Sequence, residues 1–230
     1  MQNLMEILSF LSVLSLVMAF LSVLTLLSYL YTYPQPMKVM NLVWPLTALW
    51  GGLIGLWAFF TFGRVRGMIQ HPDKRKMQMP RRPFWQNVAL STFHCGAGCT
   101  LADLIGEGFG PFLLRPLGLT GIGWMWGLDY VLALAIGAGF QYAAIRPGLS
   151  ALSPNAVFLR ALKIDFLSLS SWQIGMYAFC YLLFFVVLPS PLTHTSWSFW
   201  FIMQLAMFVG FFFSYPVNWL LIKRGVKPAM

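Results

Sequence analysis

The stretch LSFLSVLSLVMAFLSVLTLLSYL, residues 8–30, contains no charged residue, no proline and no glycine. About 20 apolar residues in a helix cross the hydrocarbon core of a bilayer. The apolar run, about Leu4 to Leu30, exceeds that length. It is also too long for the apolar core of a secretory signal, and no basic segment precedes it. A retained membrane span is expected. The rest of the chain agrees with this. Of 230 residues, 59% are hydrophobic and 9% charged, and the mean hydropathy is +0.72. Soluble domains carry roughly a quarter charged residues, so a water-soluble globule is excluded, and so is disorder.

Six stretches are long and apolar enough to cross. They run from about Leu4 to Leu30, Met40 to Phe62, Phe84 to Ile105, Trp124 to Ile145, Ser171 to Leu188 and Trp197 to Ile222. The segment PNAVFLRALKIDF between the fourth and fifth alternates Val157, Leu159, Leu162 and Phe166 with Arg160, Lys163 and Asp165. Opened by Pro154, it is expected as an amphipathic helix lying in the interface. The expected fold is therefore all-α: one integral membrane domain over residues 1–230, a six-helix bundle with one interfacial helix.

The net charge of +9 comes from 15 Lys and Arg against 6 Asp and Glu. In a membrane protein such an excess marks cytoplasmic loops, so no nucleic-acid partner is expected. Six crossings put 13 of the 15 bases on one side, leaving Lys38 and Arg115 on the other. Both termini and the basic loop 64–83 are expected to be cytoplasmic. That loop also holds Met68, His71, Met77 and Met79. It can anchor on anionic lipid or dock a cytosolic partner that delivers a soft metal.

Chemistry concentrates in the third span, FHCGAGCTLADLIGEG, residues 93–108. Cys95, Cys99, Asp103 and Glu107 follow at four-residue steps and share one helix face. Intramembrane acids are costly and face an interior or an aqueous cavity. Glu107 and Asp129 are expected near the outer mouth, where they attract a cation, while Asp165 is expected in the cytoplasmic interface. His94 is rotated about 100° from Cys95, so it joins the thiols only if the helix is distorted. The thiols allow three roles: small-residue packing with Gly96 and Gly98, a redox dithiol, or ligation of a soft metal such as copper(I). Further soft donors lie at similar depth in other spans: Met176 and Cys180 in the fifth, Met203 and Met207 in the sixth. The three cysteines, odd in number and set in apolar stretches, exclude a secreted disulfide framework.

No nucleotide-binding loop, nucleophile elbow or zinc-protease helix is present. The stretches FHCGAGCTLADLIGE, GFQYAAIRP and MQLAMFVGFFFSYPVNWLLIKRGVKPAM make the chain resemble a bacterial and archaeal membrane family described as a domain of unknown function. His94, Cys95, Gly98, Cys99 and Asp103 carry the first motif, and Tyr215, Pro216, Val217 and Asn218 the last. The resemblance covers about residues 84–230. It implies a bacterial cytoplasmic membrane and a weak link to copper, but no activity. The function expected is binding or transport of a soft cation, copper(I) first, by Cys95, Cys99, His94, Asp103, Met176, Cys180, Met203 and Met207. A thiol oxidoreductase and a non-catalytic scaffold are the alternatives.

Overall fold

The computed structural model describes residues 2–64, 82–188 and 192–228, with side chains from residue 5 onward. Six helices are long and apolar enough to cross a membrane, and the chain is a multi-pass membrane protein. They are α1 (Gln2–Thr32), α2 (Met40–Ala58), α3 (Phe84–Leu114), α4 (Ile122–Ile145), α5 (Pro154–Tyr181) and α6 (Trp197–Lys223). Single wide π-helical turns extend α2 through Phe59–Gly63 and α5 through Leu182–Val187.

The third helix is the axis of the bundle. Its most apolar window is 83% buried, against 17% for α1. This follows from composition: α3 carries the polar residues that must avoid lipid, whereas α1 is apolar on every side and can face it. Glycines set how closely neighbours approach α3. The Trp172 indole of α5 lies where a Cβ at Gly96 would stand, and Gly98 meets the backbone of Gly137 on α4.

The helix α2 does not run straight. At Gly52 the backbone adopts φ 50°, ψ −129°, a conformation open to glycine alone. In one straight helix Trp44 and Phe59 would stand about 22 Å apart. Their ring centroids are 5.1 Å apart instead. The position of a Cβ on Gly55 lies 3.2 Å from Ala48 Cα, and Gly63 packs on the Trp44 ring. The chain therefore enters as far as Gly51, reverses at Gly52 and returns beside itself as a helical hairpin. A helix end buried at membrane depth leaves carbonyls short of donors. Gln204 of α6 meets one of them, donating from Nε2 to Leu49 O at 2.8 Å while its Oε1 accepts from Ser15.

This reversal changes the topology expected from sequence. Ser12 near the start of α1 reaches Ser198 at the start of α6, 3.4 Å away. At the other end, Tyr215 donates to Trp85 O and Phe84 packs on Trp219. Arg82 Nε donates to Phe62 O at 2.7 Å, joining the start of α3 to the end of the hairpin. The start of α1 and the end of α6 thus lie at opposite ends of the bundle, not at one. Five helices traverse its full length and α2 goes halfway and back. The charges sort better this way. Among the described residues, Lys38, Arg64, Arg82, Arg146, Arg160, Lys163, Lys223, Arg224 and Lys227 fall toward one end, with Arg115 alone at the other.

The PNAVFLRALKIDF segment is helical, as expected, but is not a separate interfacial element. Ser153 caps it by accepting from Ala156 N–H at 3.3 Å, and it continues unbroken into the fifth span as the first turns of α5. Its polar positions Asp165 and Ser168 are consequently drawn into the bundle, where both are fully buried.

Candidate functional site

Cys95 and Cys99 lie on the buried side of α3, at 1% and 0% exposure. Facing them is Asp165 of α5, whose Oδ1 stands 3.9 Å from the Cys95 thiol. Cys99 and Ser168 flank the same sulfur. The other Asp165 oxygen, Oδ2, has no hydrogen-bond partner among the described residues. It lies where a Cβ at Gly137 would be, so α4 admits the carboxylate only because that position is glycine.

A polar network closes this site toward the basic end. Ser214 and Asn218 are one turn apart on α6. Ser214 Oγ donates to Ser168 O at 2.9 Å, and Asn218 Nδ2 donates to Ser168 Oγ at 2.7 Å. Beyond α6, Gly225 takes a left-handed φ of 68° and the tail doubles back, with Val226 and Lys227 N–H both donating to Leu221 O. This glycine-centred stop satisfies carbonyls at the helix end. It also turns Lys227 inward. The Lys227 side chain is fully buried, donating from Nζ to Asn218 Oδ1 at 2.7 Å and to Ser91 O at 3.4 Å. Burial lowers its pKa from the ordinary lysine value, while the neighbouring Asp165 and Cys95 favour its charged form. The Lys227 amine is thus tethered on the basic-end side of the thiols.

The remaining residues predicted from sequence do not converge here. His94 turns toward α4, edge-on to Phe140 at 6.0 Å, and its Nε2 has no partner among the described residues. Cys180 lies 15 residues beyond Asp165 on α5, which is about 22 Å along the axis. It contacts Met203 instead, sulfur to sulfur at 3.8 Å. Cys180 therefore cannot share one ion with Cys95. Met176 is buried within the apolar core. Met203 and Met207 line a groove with Asp103, on the side of α3 that faces α1 and α6. Asp129 of α4 packs over Gly106, its Oδ1 unpartnered among the described residues. It lies on the same outer half of α3 as Glu107. No three His, Cys, Asp or Glu side chains among the described residues are gathered tightly enough to hold one ion. Most of the basic loop, with its histidine and methionines, lies outside the described residues.

Sequence reasoning missed Asp165, Ser168, Asn218 and Lys227. A signal was present on α5: Asp165, Ser168, Trp172 and Met176 recur at helical spacing and form one continuous face once the two segments are joined. Lys227 had none, because a lysine five residues past a membrane helix reads as an ordinary cytoplasmic charge.

A family model described as Domain of unknown function (DUF4396) matches residues 84–227. This covers α3 to α6 and the Lys227 turn, so every residue around the thiols falls inside it. No curated protein and no solved structure matches the chain.

Proposed function

The chain belongs to the DUF4396 family, whose description assigns no activity, and we propose that it binds and passes a soft monovalent cation, copper(I) first, across a bacterial cytoplasmic membrane. The observation that carries this reading is the pair of fully buried thiols on α3 beside an α5 carboxylate with one oxygen unpartnered among the described residues. Thiolates select soft ions. A tetrahedral zinc centre needs four donors, and no such gathering of His, Cys and carboxylate groups exists among the described residues. Two sulfurs suit an ion that accepts low coordination, as copper(I) does. Glu107 and Asp129 supply negative charge at the outer half of α3, and Cys95 and Cys99 form the inner station.

Titration of the purified full chain with copper(I), in competition with a colorimetric chelator, tests the assignment. About one tight ion per chain is expected, because only one thiol pair is available. Loss of an outer-shell partner alone typically costs 10–100-fold in metal affinity, so Cys95→Ser with Cys99→Ser should cost at least about hundredfold. Cys180→Ser should leave binding unchanged. Undiminished affinity in the double variant refutes the assignment.

A further inference from the structure

We propose that the groove between α1, the tip of the α2 hairpin, α3 and α6 is a second binding site, for a lipophilic organic cation. The cavity measures about 480 Å³. Its walls include Trp50, Trp197, Trp200, Met203 and Met207, and the one ionisable side chain lining it is Asp103. Asp103 is 4% exposed, and its Oδ1 has no hydrogen-bond partner among the described residues. The groove thus offers three indoles, two thioethers and one unmatched acid.

Each feature narrows the occupant. A carboxylate at membrane depth calls for a counter-charge, and the nearby acids Glu107 and Asp129 strengthen that demand. Tryptophan faces attract cations, most of all where water is excluded. The walls are almost wholly apolar, so a hydrated hard ion would exchange its water for a single carboxylate and two thioethers, the latter suited only to soft metals. A neutral acyl chain would fill the space but leave Asp103 unmatched. A cation wrapped in apolar substituents satisfies both the walls and the acid. Access is sideways from the bilayer, because Phe20 and Trp197 at the rim are 59% and 63% exposed. The groove opens toward α1 and α6, whereas Cys95 faces Asp165 of α5; Asp103 lies four residues beyond Cys99 and eight beyond Cys95, about 6 and 12 Å along α3.

Equilibrium dialysis of radiolabelled tetraphenylphosphonium against the full chain in lipid nanodiscs tests this. Saturable binding is expected. Asp103→Asn should weaken it by about tenfold or more, the scale for loss of one charge-assisted contact. Trp200→Leu should weaken it severalfold through the lost cation–π face, whereas Asp103→Glu should retain it. Cys95→Ser with Cys99→Ser should leave it unchanged, so failure of the copper assignment and failure of this one are told apart. Non-saturable uptake, equal binding by Asp103→Asn, or displacement by a neutral lipophile as readily as by a cationic one would each overturn the proposal. The last result would assign the groove to a lipid chain.

Discussion

Replacing Lys227 with alanine is expected to lower the hydrogen-exchange protection of the Val226 and Lys227 amides by about hundredfold. The estimate joins two losses. A hydrogen bond from the neutral amine contributes roughly 0.5–1.5 kcal/mol, and the three stem methylenes lost add about 0.8 kcal/mol each. Their sum, about 3–4 kcal/mol, reaches the roughly 2.8 kcal/mol that a hundredfold change requires. Lys227→Met separates the two, since it keeps the stem and loses the donor to Asn218 and Ser91. Its protection should fall between those of the wild type and the alanine variant. A pH series gives the sign independently. Burial lowers the Lys227 pKa from the ordinary lysine value, so the released tail binds the proton more tightly than the docked one. Docking is therefore strongest above the ordinary lysine value and is lost as pH falls through the lowered one. Protection corrected for intrinsic exchange should rise with pH in the wild type and stay flat in both variants. Alanine-variant amides as protected as those of the wild type would show that the lysine does not hold the tail.

The second expectation concerns topology and is close to all-or-none. In a cysteine-free background, single cysteines replacing Lys38, Arg64 and Arg224 should react with a membrane-impermeant thiol reagent added to one side. A cysteine replacing Glu6 should react only from the other. Six full crossings would instead separate Lys38 from Arg64. The physical reason is the reversal at Gly52: the two halves of α2 share an end, so the chain re-emerges where it entered. Residual reactivity from the wrong side should stay below about a tenth, because a charged reagent does not cross hydrocarbon. The basic end is expected to be the cytoplasmic one.

The contrast between α1 and α2 shows what could be read from sequence. Hydropathy fixes the existence and length of α1, α4 and α6 because lipid demands apolar surface over a set distance, whatever the neighbours are. It reads α2 as a single span because the two half-helices together have the length of one. The backbone angle at Gly52 leaves no mark on hydropathy. Gly55 packs on Ala48 of its own hairpin. Charge counting did not expose the reversal, since moving Lys38 to the basic side only improves a sorting that was already good.

The polar stripe of α3 was legible for a different reason. Four-residue spacing puts Cys95, Cys99, Asp103 and Glu107 on one side, and intramembrane polarity forces that side inward. What stands opposite was not legible. Asp165 and Lys227 lie in segments whose charge suggests water, and only the continuity of α5 and the turn at Gly225 bring them inside. The methionines and Cys180 lie on inward faces as their spacing implies, yet axial distance along α5 divides Met176 and Cys180 from Cys95, and Met203 and Met207 meet another side of α3. Helical periodicity gives a direction around an axis but not the register between two axes. Register decided which residues met.

Copper K-edge X-ray absorption on the full chain carrying one equivalent of copper(I) tests the central assignment most directly. The account predicts a first shell of two sulfur neighbours that disappears when Cys95 and Cys99 are both serine and persists when Cys180 is. A shell of nitrogen or oxygen alone, or sulfur neighbours that survive the loss of both α3 cysteines, would contradict it.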